Sequence, residues 1–176
     1  MNPITNPVME NLLTRRSVRA FLDKPIPREE LDAIVKAALY APCGMGRQTW
    51  QFTVVTDRAK IQALAAAVEQ ELGRAGYNMY EREAIIIPSN EKTSPYGMED
   101  NACALENIFL AAWSLGVGSV WINQLRDICD TPSVRSLLTA WGVPEDHTVY
   151  GIAALGYPAG PAKKDVAKTG TVVFAD

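Results

Sequence analysis

In five stretches of the chain, apolar residues recur at the three- and four-residue spacing that predicts a helix with one buried face. Residues 8–15 carry a short pattern of this kind that stops at a pair of arginines. In "PIPREELDAIVKAALYAP", Leu31, Ile34, Val35, Ala38 and Leu39 share a face, with Pro27 suited to the first turn, acids behind it and Pro42 as the stop. "DRAKIQALAAAVEQELG" places Ile61, Leu64, Ala65, Val68 and Leu72 on one stripe. "MEDNACALENIFLAAWSLG" sets Ala102, Leu105, Phe109, Ala112 and Trp113 around most of its circumference, so it must be covered on several sides, by its own domain or by a partner chain. "TPSVRSLLTAWG" has Thr131 as cap, Pro132 in the first helical position and Gly142 as its stop.

Between these helices lie short runs rich in β-branched residues, "FTVVT", "AIIIP", "GSVWI" and "VYGIAALG", with "TVVF" as a candidate last strand. Strands and helices interleave, and no internal repeat or low-complexity linker divides them. The pattern predicts one domain over residues 1–176, an α/β or α+β sheet with helices on its faces.

Composition changes this picture little. With 48% hydrophobic and 21% charged residues the chain reads as an ordinary globular protein. Seventeen Lys and Arg against twenty Asp and Glu give a net charge of −3, which argues against a nucleic-acid surface. No apolar run approaches the ~20 residues needed to cross a bilayer, and the first residues lack the basic and apolar regions of a signal peptide, so a cytoplasmic protein without a membrane partner is expected. Cys43, Cys103 and Cys129 are too widely spaced for a disulfide framework or a zinc motif, and no metal is expected.

Against the acidic background, "RRSVRAF" stands out because Arg15, Arg16 and Arg19 surround Ser17. Guanidinium groups are permanently charged planar forks that match phosphate oxygens, and the hydroxyl adds a compact donor. A solvated basic helix end, complementing the helix dipole, would account for the same cluster. A second candidate is "YAPCGMGRQTWQF", where a loop with two glycines allows close backbone approach to a ligand or serves merely as a helix-to-strand connector. "GYPAGPAKK" lacks the Walker spacing, and "GVGSVW" runs into a strand rather than the helix that a dinucleotide fingerprint requires. His147 is the one histidine, which speaks against a Ser-His-Asp triad.

Taken together, "RRSVRAF", "IPREELDAIVKAALYAPCGMGRQTWQFTVVTD", "ALENIFLAAWSLGVGSVWI" and "ALGYPAGPAKK" resemble the FMN-dependent nitroreductases, in the family's order and over nearly the whole chain. The resemblance implies an α+β fold with a central, mostly antiparallel sheet flanked by helices, in an intertwined homodimer with FMN at the interface. It implies that Arg15, Arg16, Ser17 and Arg19 hold the phosphate and ribityl chain and place a cation near the N1 and O2 edge of the flavin, where it favours the reduced form. It further implies that Pro42, Cys43, Gly44, Gly46 and Gln48 reach the flavin of the opposite subunit. Gly118 and Ser119 would face its ring from the other side, and Lys164, with Lys168 as substitute, would complete the phosphate site. The family often has serine at Cys43, asparagine at Gly46 and proline at Thr49, so Cys43 is either a packed small residue or a redox-active thiol.

The activity implied is ping-pong hydride transfer from NAD(P)H through FMN to a nitroaromatic, quinone or other electron-poor small molecule. No side-chain catalyst is needed, because the cofactor carries the electron chemistry. The alternatives are another reduction on the same scaffold, such as enone reduction or dehalogenation, and a flavin-binding carrier or sensor without turnover.

Overall fold

The computed structural model describes residues 5–161 and 167–175. Among these described residues five α-helices and five strands follow one another: α1 (Pro7–Thr14), α2 (Arg28–Leu39), β1 (Trp50–Val55), α3 (Arg58–Leu72), β2 (Ala84–Glu91), α4 (Gly97–Ser114), β3 (Gly118–Ile122), α5 (Pro132–Ala140), β4 (His147–Thr148) and β5 (Ile152–Gly156). The sheet runs β1-β2-β5-β3, with β4 paired to β2, and every pairing among these strands is antiparallel. The fold is therefore α+β, as expected.

The run "AIII" shows why helices lie on both faces. Side chains on a strand alternate, so a strand apolar at every position must be covered on both sides. Ile85 and Ile87 enter a core with Ile61, Leu64 and Val68 of α3 and Val134 and Leu138 of α5. Ala84 and Ile86 enter a second core with Leu31, Ile34 and Ala38 of α2 and Leu105, Ile108 and Ala112 of α4. Each fully buried isoleucine contributes about 1.5–3 kcal/mol of transfer free energy, which pins the register of β2 between the two layers.

Helix ends follow local chemistry. Asp57 caps α3 by accepting from the amides of Ala59 and Lys60, and Gly73, in the left-handed conformation, ends it. Pro27 sits at the cap position of α2 rather than inside its first turn. Thr131 occupies the cap position of α5 but donates its hydroxyl to the carbonyl of Ile128 instead of capping with its side chain.

Several sequence expectations need correction. Leu39 and Leu72 are exposed, because each falls in the last turn of its helix, past the edge of the core. β2 continues through Pro88 to Glu91, with the proline carbonyl taken by the Asn101 side chain. Of "VYGIAALG" only Ile152–Gly156 forms a strand, β5; the two-residue β4 precedes the stretch. "TVVF" forms no strand and lies exposed within the single chain, Phe174 at 85%. α4 is mostly covered by its own domain, packing on α1, α2 and the sheet.

Candidate functional site

The arginine segment is shaped by what precedes and follows it. Asn6 caps α1 by accepting from the Met9 amide at 2.9 Å, and the helix ends where Arg15 turns to ψ 136°. One nitrogen of Arg16, Nη1, donates to the carbonyls of Leu13 (2.7 Å) and Arg15 (2.8 Å), so a cation sits over the helix C-terminus. The chain then runs beside β3. Ser17 bridges Ser119 in parallel, and the Val18 amide donates to the Ser119 carbonyl at 2.9 Å.

Val18 is buried against Gly118, where an added Cβ would lie 2.7 Å from the valine Cγ2. Extended backbone alternates its side chains, so burying Val18 turns Ser17 and Arg19 toward solvent. Arg15 is held at the edge of the same strip: its Nε lies 3.8 Å from Glu106 Oε1, and its guanidinium carbon lies 5.9 Å from the centroid of Phe109, both on α4. The result is a strip of guanidinium and hydroxyl groups fixed to the sheet through its backbone.

The glycine loop is held at the other end of α4. The Gly44 amide donates to Asp100 Oδ1 at 2.7 Å, and Asp100 is buried. The ring of Tyr96 covers Gly44 so closely that a Cβ there would lie 2.3 Å from Cδ2. Beyond this point Met45 (φ 55°), Gly46 (φ 66°) and Gln48 (φ 51°) adopt left-handed conformations, and the Met45 and Gln48 side chains are exposed. Pro42 is exposed and Cys43 half-buried beside them.

The structure thus brings Arg15, Arg16, Ser17 and Arg19 together with Gly118 and Ser119. It sets Pro42, Cys43, Gly44, Gly46 and Gln48 apart: nine residues of α4 separate Asp100 from Phe109, a rise of about 14 Å. Ser119 is 2% exposed and spent within the sheet, and Gly118 is filled by Val18, so both support the strip from behind. Lys164 lies outside the described residues. The sequence reading missed Tyr96, Asp100, Glu106 and Phe109, which hold the two groups. No local signal marked Asp100, because an acid in the first turn of a helix complements the dipole without needing a partner.

Ser17 and Arg19 of the strip are exposed, and Arg15 and Arg16 half-buried. A more enclosed cleft, of about 390 Å³, lies elsewhere, between α3 and residues 77–83. Among the described residues, no helix is long and apolar enough to cross a membrane, and no group of acids, histidines and cysteines is set to hold a metal.

Comparison with known proteins joins this geometry to a family. Residues 12–85 and 75–157 match the model of the nitroreductase family. A crystal structure of a nitroreductase with bound FMN from Bacteroides fragilis superposes with a TM-score of 0.91 at 42% identity, covering 98% of this chain and 100% of that one. A protein of Archaeoglobus fulgidus provisionally named NADH dehydrogenase/NAD(P)H nitroreductase is 36% identical over 156 residues, 85% of this chain and 84% of its own. The NADPH-flavin oxidoreductase of Vibrio harveyi is 32% identical over 164 residues, 87% of this chain and 66% of its own. With the fold, the order of its motifs and most of its length in common with these proteins, the chain belongs to the nitroreductase family.

Proposed function

We propose that residues 1–176 work as a single FMN-binding domain of a cytoplasmic NAD(P)H oxidoreductase that reduces nitroaromatics, quinones or other electron-poor small molecules. The observation that carries this reading is the strip: Ser17 and Arg19 are solvent-facing on backbone fixed to β3, with Arg15 and Arg16 beside them. Its donors fit a phosphate, which guanidinium forks and a hydroxyl bind by charge-assisted hydrogen bonds. The FMN-containing relative and the flavin oxidoreductase relative support the same assignment.

In this reading Arg15, Ser17 and Arg19 hold the phosphate and ribityl chain, and Arg16 sets a cation at the N1 and O2 edge of the ring. Bound FMN supplies the redox chemistry, taking hydride from NAD(P)H and passing it to the acceptor in alternate half-reactions. The protein orients it.

A second copy completes the site. The glycine loop, held away from the strip within one chain, reaches the flavin of its partner. Exposed apolar surface supports the assembly: Val8, Leu12 and Leu13 on α1, and the tail residues Val172, Val173 and Phe174. Obligate dimers bury large apolar areas of this kind.

An absorbance spectrum of the purified protein, followed by anaerobic titration with NADH and then NADPH, tests the proposal. Rapid bleaching of bound FMN by either nucleotide is the expected result. A flavin that stays oxidised with both would make the protein a binding module, and recovery of FAD alone on heating would overturn the cofactor assignment.

A further inference from the structure

The link between α3 and β2 concentrates backbone strain. Of the five non-glycine residues with positive φ among the described residues, three stand side by side: Met79 (φ 51°), Tyr80 (φ 72°) and Glu81 (φ 47°). L-residues enter the left-handed region one at a time, and mostly as Asn or Asp, because the Cβ crowds the following carbonyl oxygen. Three in succession, with neither glycine nor asparagine among them, hold a conformation that the surroundings must enforce.

The same segment shuts in polar groups that it does not satisfy. Arg82 is 3% exposed; Nη2 donates to the Asn78 carbonyl, whereas Nε and Nη1 have no hydrogen-bond partner. The Tyr77 hydroxyl is likewise buried and unpartnered. Burial lowers Arg82 to about 10, so at neutral pH its guanidinium remains charged and desolvated. Such donors are rare in folded proteins and costly. Sealed from solvent as they are, they gain partners only if the segment moves.

Two residues keep the turn closed. Met79 is fully buried in the core that holds Ile61, Leu64 and Val68 of α3. Asn78 ties the turn to itself: its Oδ1 accepts from the Tyr80 amide at 3.0 Å, its Nδ2 donates to Glu81 Oε1 at 3.1 Å, and its carbonyl accepts from the Glu81 amide at 3.2 Å as well as from Arg82. These bonds all lie within residues 78–82, so one movement breaks them together. The frame on either side is held separately. The Gly76 amide donates to Glu69 Oε1 of α3 at 2.8 Å, and the Glu83 amide donates to the Leu155 carbonyl of β5 at 3.0 Å.

We propose that residues 77–82 form a latch, which opens as one unit while α3 and β2 stay in place. Opening withdraws Met79 from the core and breaks the Asn78 bonds. In return it relaxes three left-handed residues and hydrates the Arg82 guanidinium and the Tyr77 hydroxyl. The closed and open states therefore lie close in free energy, and any group that pairs with the freed guanidinium favours the open one. The latch does not depend on the flavin reading.

Oxidation of Met79 by hydrogen peroxide, located by peptide mass analysis in the full chain equilibrated with FMN, reads the open state, because a fully buried thioether reacts only when uncovered. Met45, 76% exposed, serves as the internal reference. Met79 should oxidise at a rate nearly independent of urea below the unfolding transition, as local opening requires. Tyr77→Phe and Arg82→Met each remove a donor that only the open state satisfies, so each should slow Met79 oxidation about tenfold. Asn78→Ala should speed it by a similar factor. If Arg82→Met does not fold, the conservative Tyr77→Phe carries the test. Met79 oxidation that rises with urea as steeply as global unfolding, or that is no slower in Tyr77→Phe than in the parent protein, would overturn the proposal.

Discussion

The strip from Arg15 to Arg19 and the loop from Pro42 to Gln48 both depend on α4, but they are secured in different ways. The strip is paired to β3 by backbone, backed by Val18 in the space at Gly118 and flanked by Glu106 and Phe109. The loop is held at the one residue Gly44, by a buried carboxylate and the Tyr96 ring, and past it Met45 and Gln48 hold left-handed conformations that cost a non-glycine residue about 1–2 kcal/mol each. Geometry fixed by several independent contacts suits the part of a ligand that never changes. Geometry held at one residue can drift beyond it without disturbing its neighbours, so under the proposed assignment substrate preference can be altered in the loop while the phosphate site stays intact.

Removing the most exposed cation of the strip should have the largest effect. Arg19→Ala is expected to weaken FMN binding by about 1.5–3 kcal/mol, roughly ten- to hundredfold in Kd, with an unchanged circular dichroism spectrum. Fluorescence titration of apoprotein reads this directly, and full affinity in the variant would leave the strip as mere surface charge. Gly44→Ala should come next, destabilising the fold by about 1–3 kcal/mol in urea because the methyl group overlaps the Tyr96 ring. Adding Tyr96→Leu should recover part of that loss. If the double variant is no better, the glycine is needed for its backbone and not for the close approach of the ring.

Asp100→Asn keeps an acceptor for the Gly44 amide but removes its charge, a change of about 1 kcal/mol at that hydrogen bond. The contrast between the two regions predicts a raised KM for the acceptor with unchanged FMN affinity; a fall in FMN affinity instead would mean that the loop is as rigidly coupled to the cofactor as the strip. The smallest effect belongs to Gln48→Gly, which relieves a left-handed non-glycine residue and should raise thermal stability by less than about 1 kcal/mol, or up to about 4 °C. A drop in Tm would show that the Gln48 side chain holds the loop.

Much of the fold was legible because it rests on periodicity. The stripe Ile61, Leu64, Ala65 and Val68 and the doubly apolar run Ala84–Ile87 are local patterns that burial bears out. "TVVF" carried the same strand chemistry but finds no edge of its own sheet to pair with, and no local signal records that. The site was legible in part for the same reason. Three arginines in five residues are visible in any window, whereas the clasp between Gly44 and Asp100 joins residues 56 positions apart, and the seat of Val18 on Gly118 joins residues a hundred apart. Nothing within a turn of either partner announces such contacts. The unsatisfied nitrogens of Arg82 were equally hidden, because "EREA" reads as an ordinary charged segment until the chain buries it.

The bridge between Ser17 and Ser119 also sets a schedule. A ribosome adding about 5–20 residues per second needs roughly 5–20 s to pass from one partner to the other. Throughout that interval the basic segment has no strand to lie against, and under the proposed assignment the newborn chain has no settled place for a phosphate. Asp100 emerges before Ser119, so the glycine loop can be clasped first. Under the proposed assignment the cofactor can be held only once β3 has been made, and an N-terminal fragment ending short of β3 would be synthesised without the means to hold it.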